Sequence, residues 1–194
     1  TCVIGVAGNF DDTQNGVKEI LNNSGLIEEL REQGYVFSSA NSINIGRLLP
    51  QIVYYFYSYM QLYKKAVIDL GEAVNFVVPT GNFGNILAGY YARAIGLPVS
   101  RLICASNKNN ILTDFFHTGE YNRNRDFYKT MSPSMDILIS SNLERLLYDI
   151  TGGNSEVIAD LMNQLSTDGS YALERELLFM GCLLYTSDAA DEED

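Results

Sequence analysis

The segment of residues 80–85 constrains the fold of this chain more than any other segment does. It reads Thr-Gly-Asn-Phe-Gly-Asn, and it joins an apolar run at residues 73–79 to a helix-like stretch at residues 85–95. This order predicts a strand, a tight turn and a helix in succession. Backbone N–H groups converge at such a turn, because the first turn of a helix leaves its donors unpaired. The segment therefore suits a phosphate group.

A second strand signal follows the helix. A Gly-Leu-Pro stop at residues 96–98 precedes the apolar run of residues 100–105. A strand, a helix and a strand in this order predict a parallel sheet with a right-handed crossover. We therefore expect an α/β fold, an open parallel sheet with flanking helices. The other predicted elements are strands at residues 2–6 and 35–39, helices at residues 14–21, 26–33, 48–70, 110–117, 142–149, 155–165 and 171–182, and a polar loop at residues 119–132.

The residues of the 80–85 segment leave two interpretations open. Its two glycines permit unusual backbone torsions and a close approach of the main chain to a ligand oxygen. Asn82 and Asn85 can donate hydrogen bonds from their side-chain amides, and open α/β sheets bind ligands at the carboxyl ends of their strands. The alternative is an ordinary strand-to-helix turn that uses glycine and asparagine for geometry alone. The spacing fits neither the dinucleotide-binding fingerprint nor the P-loop.

Residues 41–47, with the sequence Asn-Ser-Ile-Asn-Ile-Gly-Arg, form the second concentration of hydrogen-bonding chemistry. An arginine suits bidentate contact with a phosphate or a carboxylate, so Arg47 is a candidate anion ligand. The alternative is an asparagine or serine helix cap followed by a solvated or salt-bridged arginine. A near copy of the loop at residues 8–10 precedes Asp11 and Asp12, whose carboxylates would repel a phosphate, so we expect a structural turn there.

Composition excludes several classes of function. The formal net charge is −11, and no cluster of basic residues stands out, which argues against nucleic acid as a partner. Arg123 and Arg125 are expected to be solvated. The longest apolar stretch, residues 48–63, is shorter than the roughly 20 residues of a membrane span, so no membrane partner is expected. Three isolated cysteines and a single histidine support neither a metal site nor a Ser-His-Asp triad, and they favour a reduced, cytoplasmic protein.

Both ends of the sequence read as boundaries that are not native. The chain begins without a methionine and in what reads as a strand, which suggests a cut. Residues 183–194 break from the preceding helical pattern into an acidic tail with five acidic residues and no basic one, so the remaining chain carries a net charge of −6. We expect this tail to be non-native.

Taken together, these motifs resemble those of the threonine synthases, which are pyridoxal-phosphate lyases of the tryptophan synthase β fold type. The resemblance runs from about residue 2 to about residue 182. The matching stretches are residues 8–14, 17–18, 39–47, 51–56, 78–85, 88–89 and 96–98, the region of Asn107, and residues 134–137. The order and spacing of several of these motifs make the resemblance specific.

The resemblance implies a fold, an activity and a set of roles. It implies an incomplete fold type II architecture, with residues 1–40 a remnant of the smaller domain and residues 41–182 the main part of the cofactor-binding domain. The activity would be the conversion of O-phosphohomoserine and water to threonine and phosphate, in threonine biosynthesis. The residues assigned to the phosphate of pyridoxal 5'-phosphate are Gly81, Asn82, Phe83, Gly84 and Asn85. The residues assigned to the phosphate of the substrate are Asn41, Ser42 and Arg47.

One departure from the family concerns the Schiff-base lysine. Threonine synthases carry it in a Ser-Phe-Lys-Asp type motif, and none of the five lysines of this chain lies in such a context. We therefore expect no catalytic lysine here and no activity from this chain alone. Two alternatives stay open: another fold type II enzyme that acts on a different amino acid, and a non-enzymatic module that binds a phosphate ligand. The sequence leaves the oligomeric state open.

Overall fold

The computed structural model describes residues 4–8, 10–39, 44–174 and 184–187, and for residues 10, 11 and 184–187 it describes the backbone alone. The chain divides into two compact units, Thr1–Ala40 and Asn41–Asp194. Whether the units match the two domains that the resemblance implies stays a prediction.

The described residues of the first unit form two helices, α1 (Phe10–Leu21) and α2 (Ser24–Glu32). Asn23 caps α2, because its side-chain oxygen accepts a hydrogen bond of 3.0 Å from the backbone N–H of Leu26. The strand predicted at residues 35–39 is absent, and residues 4–6 form no strand either. A strand needs a neighbour to complete its backbone hydrogen bonds, and the described residues of this unit offer none. Residues 2 and 3 lie outside the described residues.

The second unit is built on the predicted parallel sheet. Its strands β1 (Val74–Pro79) and β2 (Val99–Ala105) pair in parallel, with Val77 opposite Ile103. A further strand, β5 (Leu184–Ser187), pairs in parallel with the other edge of β2, which gives the order β1-β2-β5. The helix α4 (Gly84–Ala94) connects β1 to β2, as the sequence predicts. The predicted α/β fold with a parallel sheet and flanking helices is confirmed.

The long helix α3 (Ile45–Lys64) packs against α4 at a point of close approach. A Cβ atom on Gly89 of α4 would lie 2.7 Å from the ring of Tyr55 and 2.9 Å from a methyl group of Leu102. The Tyr55 hydroxyl also donates a hydrogen bond of 2.7 Å to the carbonyl oxygen of Asn85. Glycine at position 89 therefore lets α3 lie on α4, and the tyrosine ties α3 to the first turn of that helix.

The bounds of α3 differ from the predicted residues 48–70. The helix begins earlier because the Asn44 side chain accepts a hydrogen bond of 2.8 Å from the Gly46 backbone N–H and so caps it. Pro50, the third residue of the predicted helix, is the sixth residue of the observed one. The helix ends at Lys64, and Ala66 adopts a left-handed conformation with φ 50°. A conformation of this kind ends a helix.

A second, two-stranded sheet lies beyond the helix α5 (Ile111–Thr118). The strands β3 (Glu120–Asn122) and β4 (Ser170–Ala172) pair in an antiparallel manner. The rings of Tyr121 and Tyr171 stack with centroids 5.1 Å apart, and both rings meet Phe115 edge-on. β3 lies within residues 119–132, where the sequence predicts a loop, and β4 includes the start of residues 171–182, where it predicts a helix. Both predictions are wrong at these residues. Residues 175–183 lie outside the described residues.

The described part of the second unit contains three more helical segments. A 3-10 turn (Pro133–Met135) precedes the helices α6 (Leu143–Ile150) and α7 (Ser155–Thr167). Leu143, Leu146 and Leu147 bury one face of α6 in the core that α4 and the sheet share. Across the described helices, none is long and apolar enough to cross a membrane.

Candidate functional site

The segment of residues 80–85 leaves the sheet at the carboxyl end of β1. The Thr80 backbone N–H donates a hydrogen bond of 3.0 Å to the carbonyl oxygen of Ala105, which continues the pairing of β1 with β2 by one residue. The Asn85 side-chain amide then reaches back and donates a bond of 2.6 Å to the carbonyl oxygen of Pro79. This bond closes the loop, so strand end and helix start lie side by side. The predicted strand, turn and helix are present.

The backbone conformation of Phe83 directs the chain from the loop into α4. It occupies the N-cap position in a left-handed conformation with φ 65° and ψ −7°, which costs a non-glycine residue about 1–2 kcal/mol. Its ring is 1% exposed and stacks on Phe116 with centroids 6.1 Å apart. Burial of an aromatic ring stabilises by more than this backbone cost. The buried ring therefore holds the turn in a conformation that the backbone alone would not favour.

The carbonyl oxygens of the loop are engaged by a segment some sixty residues away. Ser140 donates a hydrogen bond of 2.5 Å from its hydroxyl to the carbonyl oxygen of Gly81. Asn142 donates two bonds to the carbonyl oxygen of Asn82, one of 3.1 Å from its backbone N–H and one of 2.9 Å from its side-chain amide. The Arg145 guanidinium in turn donates to the side-chain oxygen of Asn142. The loop is thus clamped from its carbonyl side.

The N–H side of the loop is different. Among the hydrogen bonds between described residues, none is donated by the backbone N–H groups of residues 81–85. Phe83, at the N-cap of α4, offers no side-chain acceptor to these groups, and in the first turn the Ile86 N–H donates a hydrogen bond of 2.9 Å to the Asn85 side-chain oxygen. A set of unengaged backbone donors at the positive end of a helix dipole fits an anion, and a phosphate above all. The geometry therefore agrees with the ligand that the sequence suggests for this loop.

Close packing on a neighbouring turn explains the glycine at position 81. A Cβ atom there would lie 3.0 Å from the backbone oxygen of Ser134 and 3.4 Å from the Cα atom of Met135. Both atoms belong to the 3-10 turn, whose backbone cannot yield as a flexible side chain could. Glycine is therefore needed for the approach of this turn to the loop.

A buried carboxylate network fixes that turn. The Asp136 carboxylate is 5% exposed and accepts four hydrogen bonds, from the side-chain amides of Asn107 at 2.7 Å and Asn109 at 3.2 Å, and from the backbone and hydroxyl of Thr130 at 2.8 and 2.7 Å. Four donors offset the desolvation of a buried carboxylate. The network joins the residues after β2 to the turn that packs on Gly81, so it supports the loop without belonging to it.

The sequence-predicted site residues fall in two places. Residues 81–85 form the single loop described above. Arg47 lies on the exposed surface in the first turn of α3, the helix that Tyr55 ties to the start of α4. Asn41 and Ser42 lie outside the described residues. The roles assigned to these residues stay predictions.

Ser140, Asn142 and the Asp136 network are the site residues that sequence reasoning missed. The segment around Asp136 matches the family, but its residue types alone indicate no role. The sequence does indicate a turn at Ser140 and Asn142, because Ser-Ser-Asn at residues 140–142, directly before the apolar pattern of α6, is a helix-start signature. It predicts a polar turn there, although it does not predict which loop that turn contacts.

Cys104 lies in β2 beside Thr80, at the base of the loop. Burial raises the pKa of its thiol from 9.0 to about 11, against a smaller lowering by a hydrogen bond with the Thr80 side chain. A thiol of this kind stays protonated and unreactive at neutral pH. Within the described part of the chain, no group of three or more histidine, cysteine or acidic side chains is placed to hold a metal ion.

Comparison with known proteins identifies the relatives of the chain. No model of a known protein family matches it. Over 177 residues it is 46% identical to threonine synthase-like 1 of Macaca fascicularis, which covers 90% of the chain and 24% of that protein. Over 190 residues it is 40% identical to the threonine synthase of Pseudomonas aeruginosa, and this match covers 98% of the chain and 38% of that protein. The solved structure of a PLP-bound threonine synthase from Brucella melitensis matches with a TM-score of 0.77 at 40% identity, covering 93% of the chain and 37% of that structure.

The fold is therefore that of the fold type II pyridoxal-phosphate enzymes, of which the chain carries one part. The chain is a homologue of the threonine synthases, so the predicted resemblance is confirmed. It spans about a quarter to two fifths of the length of the relatives it matches.

Proposed function

We propose that the whole protein is a pyridoxal-phosphate-dependent lyase that converts O-phosphohomoserine and water to threonine and phosphate. The observation that carries this proposal is the loop at residues 81–85, whose carbonyl oxygens are clamped and whose N–H groups meet no acceptor within the described residues. A loop of this design, in a homologue of a PLP-bound threonine synthase, supports a cofactor-phosphate site.

The five loop residues would hold the cofactor through its phosphate. Their backbone N–H groups donate, and the dipole of α4 adds a positive potential at the same place. Asn142 and Ser140 keep the loop carbonyls turned away from that phosphate. The cofactor, when bound, supplies an electron sink that stabilises negative charge on the substrate.

Arg47, with Asn41 and Ser42, would hold the phosphate of the substrate. A guanidinium can donate two parallel hydrogen bonds to phosphate oxygens and stays charged at every physiological pH. The same contact would stabilise the charge that grows on the phosphate as it leaves. The lysine that binds the cofactor covalently would come from outside this chain, so the chain alone would be inactive.

The cofactor role of the loop can be tested with Gly81→Ala in the full-length protein. The added methyl group meets the Ser134 backbone oxygen at 3.0 Å and displaces the loop or the turn, so we expect pyridoxal phosphate to bind at least tenfold more weakly in equilibrium dialysis. Gly16→Ala is the control, because nothing lies within 4 Å of a Cβ atom there. Equal cofactor affinity of the Gly81→Ala protein and the parent, with both folded by circular dichroism, would contradict the assignment.

The substrate role of Arg47 can be tested by kinetics. The full-length protein loaded with pyridoxal phosphate should release phosphate and threonine from O-phosphohomoserine. Arg47→Ala should raise KM or lower kcat at least tenfold, because the phosphate loses a charged partner, whereas Arg93→Ala, at an exposed arginine of α4, should change neither. If the loaded parent releases neither product, the proposed reaction is wrong.

A second candidate is an enzyme of the same fold that acts on a different, unphosphorylated amino acid. Sequence identity does not separate the two candidates, because the chain is 46% identical both to threonine synthase-like 1 of Macaca fascicularis and to the threonine synthase of Eremothecium gossypii. An unphosphorylated substrate has little need of Arg47. For this candidate Arg47→Ala would leave KM unchanged, and no phosphate would be released.

A further inference from the structure

We infer that a basic cleft on the second unit binds a small molecule carrying a phosphate group. The cleft has a volume of about 800 Å³, within the range of small-molecule sites. Its described lining includes neither the residues of the 80–85 loop nor Arg47. The inference is thus independent of the proposed function. The lining residues that carry it are Lys108, Asn110, Arg123, Arg125 and Tyr128.

Arg125 is held in place before any ligand arrives. Its Nη1 atom donates to the Asp114 carboxylate at 2.8 Å and to the side-chain oxygen of Asn110 at 3.2 Å, and its Nε atom donates to the carbonyl oxygen of Asn122 at 3.1 Å. Its side chain is only 26% exposed, so the expectation that it is solvated is wrong. None of the hydrogen bonds between described residues uses its Nη2 atom. A fixed guanidinium with a spare edge is suited to an oxyanion.

Lys108 is placed over an aromatic ring and not beside a carboxylate. Its Nζ atom lies 4.7 Å from the centre of the Tyr128 ring, and no described acidic residue pairs with it. Both backbone groups of Tyr128 are fixed by Asn109, with bonds of 2.9 and 2.7 Å, so the backbone that carries this ring is held in place. A ring face attracts the ammonium group and leaves its three donors available.

Arg123 completes the basic wall. Its backbone N–H donates to the carbonyl oxygen of Gly169 at 2.9 Å, which extends the pairing of β3 with β4, and its Nη2 atom donates to the carbonyl oxygen of Ser166 at 3.3 Å. Its Nη1 and Nε atoms take part in no hydrogen bond between described residues. Lys108 stands fifteen positions earlier in the chain, so only the fold brings the two side chains to one cleft.

Charge and donor chemistry define the ligand. Three cationic side chains line the cleft, and two carboxylates, Asp126 in the lining and Asp114 paired with Arg125, leave a local excess of one positive charge. The net charge of −11 is spread over the chain and is screened beyond about 8–10 Å at physiological salt, so the local cations dominate here. Lysine and arginine only donate, and a phosphate group offers three acceptor oxygens with up to two charges. The acidic remainder of the protein would repel a long polyanion. The ligand that fits the cleft is therefore a small phosphorylated molecule.

A single tryptophan can report on this cleft, because the chain contains none. The 194-residue chain carrying Tyr128→Trp is titrated at low protein concentration with sodium phosphate, with O-phosphoserine and with sodium chloride at matched ionic strength. We expect a saturable change in emission with the phosphate compounds and not with chloride. Saturation by both phosphate compounds identifies the phosphate group as sufficient, and saturation by O-phosphoserine alone identifies a phosphate ester. Overlapping phosphate, ester and chloride curves overturn the inference.

Variants of the reporter test which residues bind. Lys108→Ala and Arg123→Ala should each weaken binding at least tenfold, Lys108→Arg should restore it to within about threefold, and Lys65→Ala, at an exposed lysine elsewhere, should change it less than twofold. Lys108→Ala in the full-length protein should bind pyridoxal phosphate as the parent does, so a failure of the cofactor site stays distinguishable from a failure of the cleft. Thermal unfolding by circular dichroism identifies any variant that has lost its fold. Unaltered binding in folded Lys108→Ala and Arg123→Ala chains overturns the assignment.

Discussion

Cys104 shows how the sheet beneath the loop is kept chemically inert. The thiol is fully buried, and its burial raises its pKa to about 11. Iodoacetamide should therefore not label Cys104 at pH 8 in the folded chain but should label it in urea. Peptide mass spectrometry can follow this thiol separately from the other two cysteines. Rapid labelling of the folded chain would contradict the burial.

The same pKa sets a pH window for stability. The folded pKa lies above the ordinary value of 9.0, so the protonated thiol contributes stability that is fully present below pH 9 and is lost as pH rises through about 11. A shift of this size corresponds to about 3 kcal/mol. The difference in unfolding free energy between the parent and Cys104→Ala should shrink by about 2 kcal/mol between pH 9 and pH 11, because the thiol is half titrated at each end of this interval. Urea titrations at both pH values measure it, and a constant difference would contradict it.

At the scale of residues, local chemistry was predictable and long-range contacts were not. The loop residues 81–85 could be found because a strand, glycines and a helix start adjoin in the sequence. Asn142 could not be placed against Asn82, because the two residues are sixty positions apart and only the fold joins them. Arg125 was expected to be solvated for the same reason, since its partner Asp114 belongs to another element.

At the scale of elements, the contact between α3 and α4 depends on Gly89. Alanine in place of a helical glycine normally stabilises by about 1 kcal/mol. Here the new Cβ atom would lie 2.7 Å from the Tyr55 ring and 2.9 Å from Leu102, in a fully packed core. Overpacking of this kind costs about 1–3 kcal/mol, so we expect Gly89→Ala to lower the free energy of unfolding of the second unit. Urea denaturation followed by circular dichroism measures the change.

Gly16→Ala is the matched control for this prediction. Gly16 lies inside α1, and nothing would meet its Cβ atom within 4 Å. Only the helix preference remains there, so this substitution should leave stability equal or higher. If both alanine substitutions stabilise the chain equally, α3 and α4 do not approach as closely as the distance of 2.7 Å between a Cβ atom at position 89 and the Tyr55 ring implies.

The elements that the sequence predicted best are those with long patterns. The β1-α4-β2 unit combines a buried apolar run, a helix and a second run, and no other order of elements fits it. The strands β3 and β4 have three residues each, which is too short for an alternating pattern to show. Their pairing rests on the stacked rings of Tyr121 and Tyr171, a contact between residues fifty positions apart.

At the scale of the whole molecule, the second unit exposes an apolar stripe on α3. Leu49, Val53 and Tyr57 are 52%, 62% and 65% exposed and follow one another at helical spacing. Within the described sheet, β1 also has a neighbour on one side only, and Val77 on it is 62% exposed. Apolar stripes and unpaired strand edges promote association. We therefore expect the 194-residue chain to associate as its concentration rises.

The α3 stripe can be tested as the cause of this association. Two lysine substitutions, Val53→Lys and Tyr57→Lys in one chain, place charge in the middle of the stripe and should shift the mass measured by light scattering toward that of a single chain. Met131→Lys is the control, because Met131 is 100% exposed and lies outside α3. A doubly substituted chain that still associates like the control would contradict the role of the stripe and leave the open edge of β1 as the cause. A lysine in place of Val77 would then be the substitution that restores a single chain.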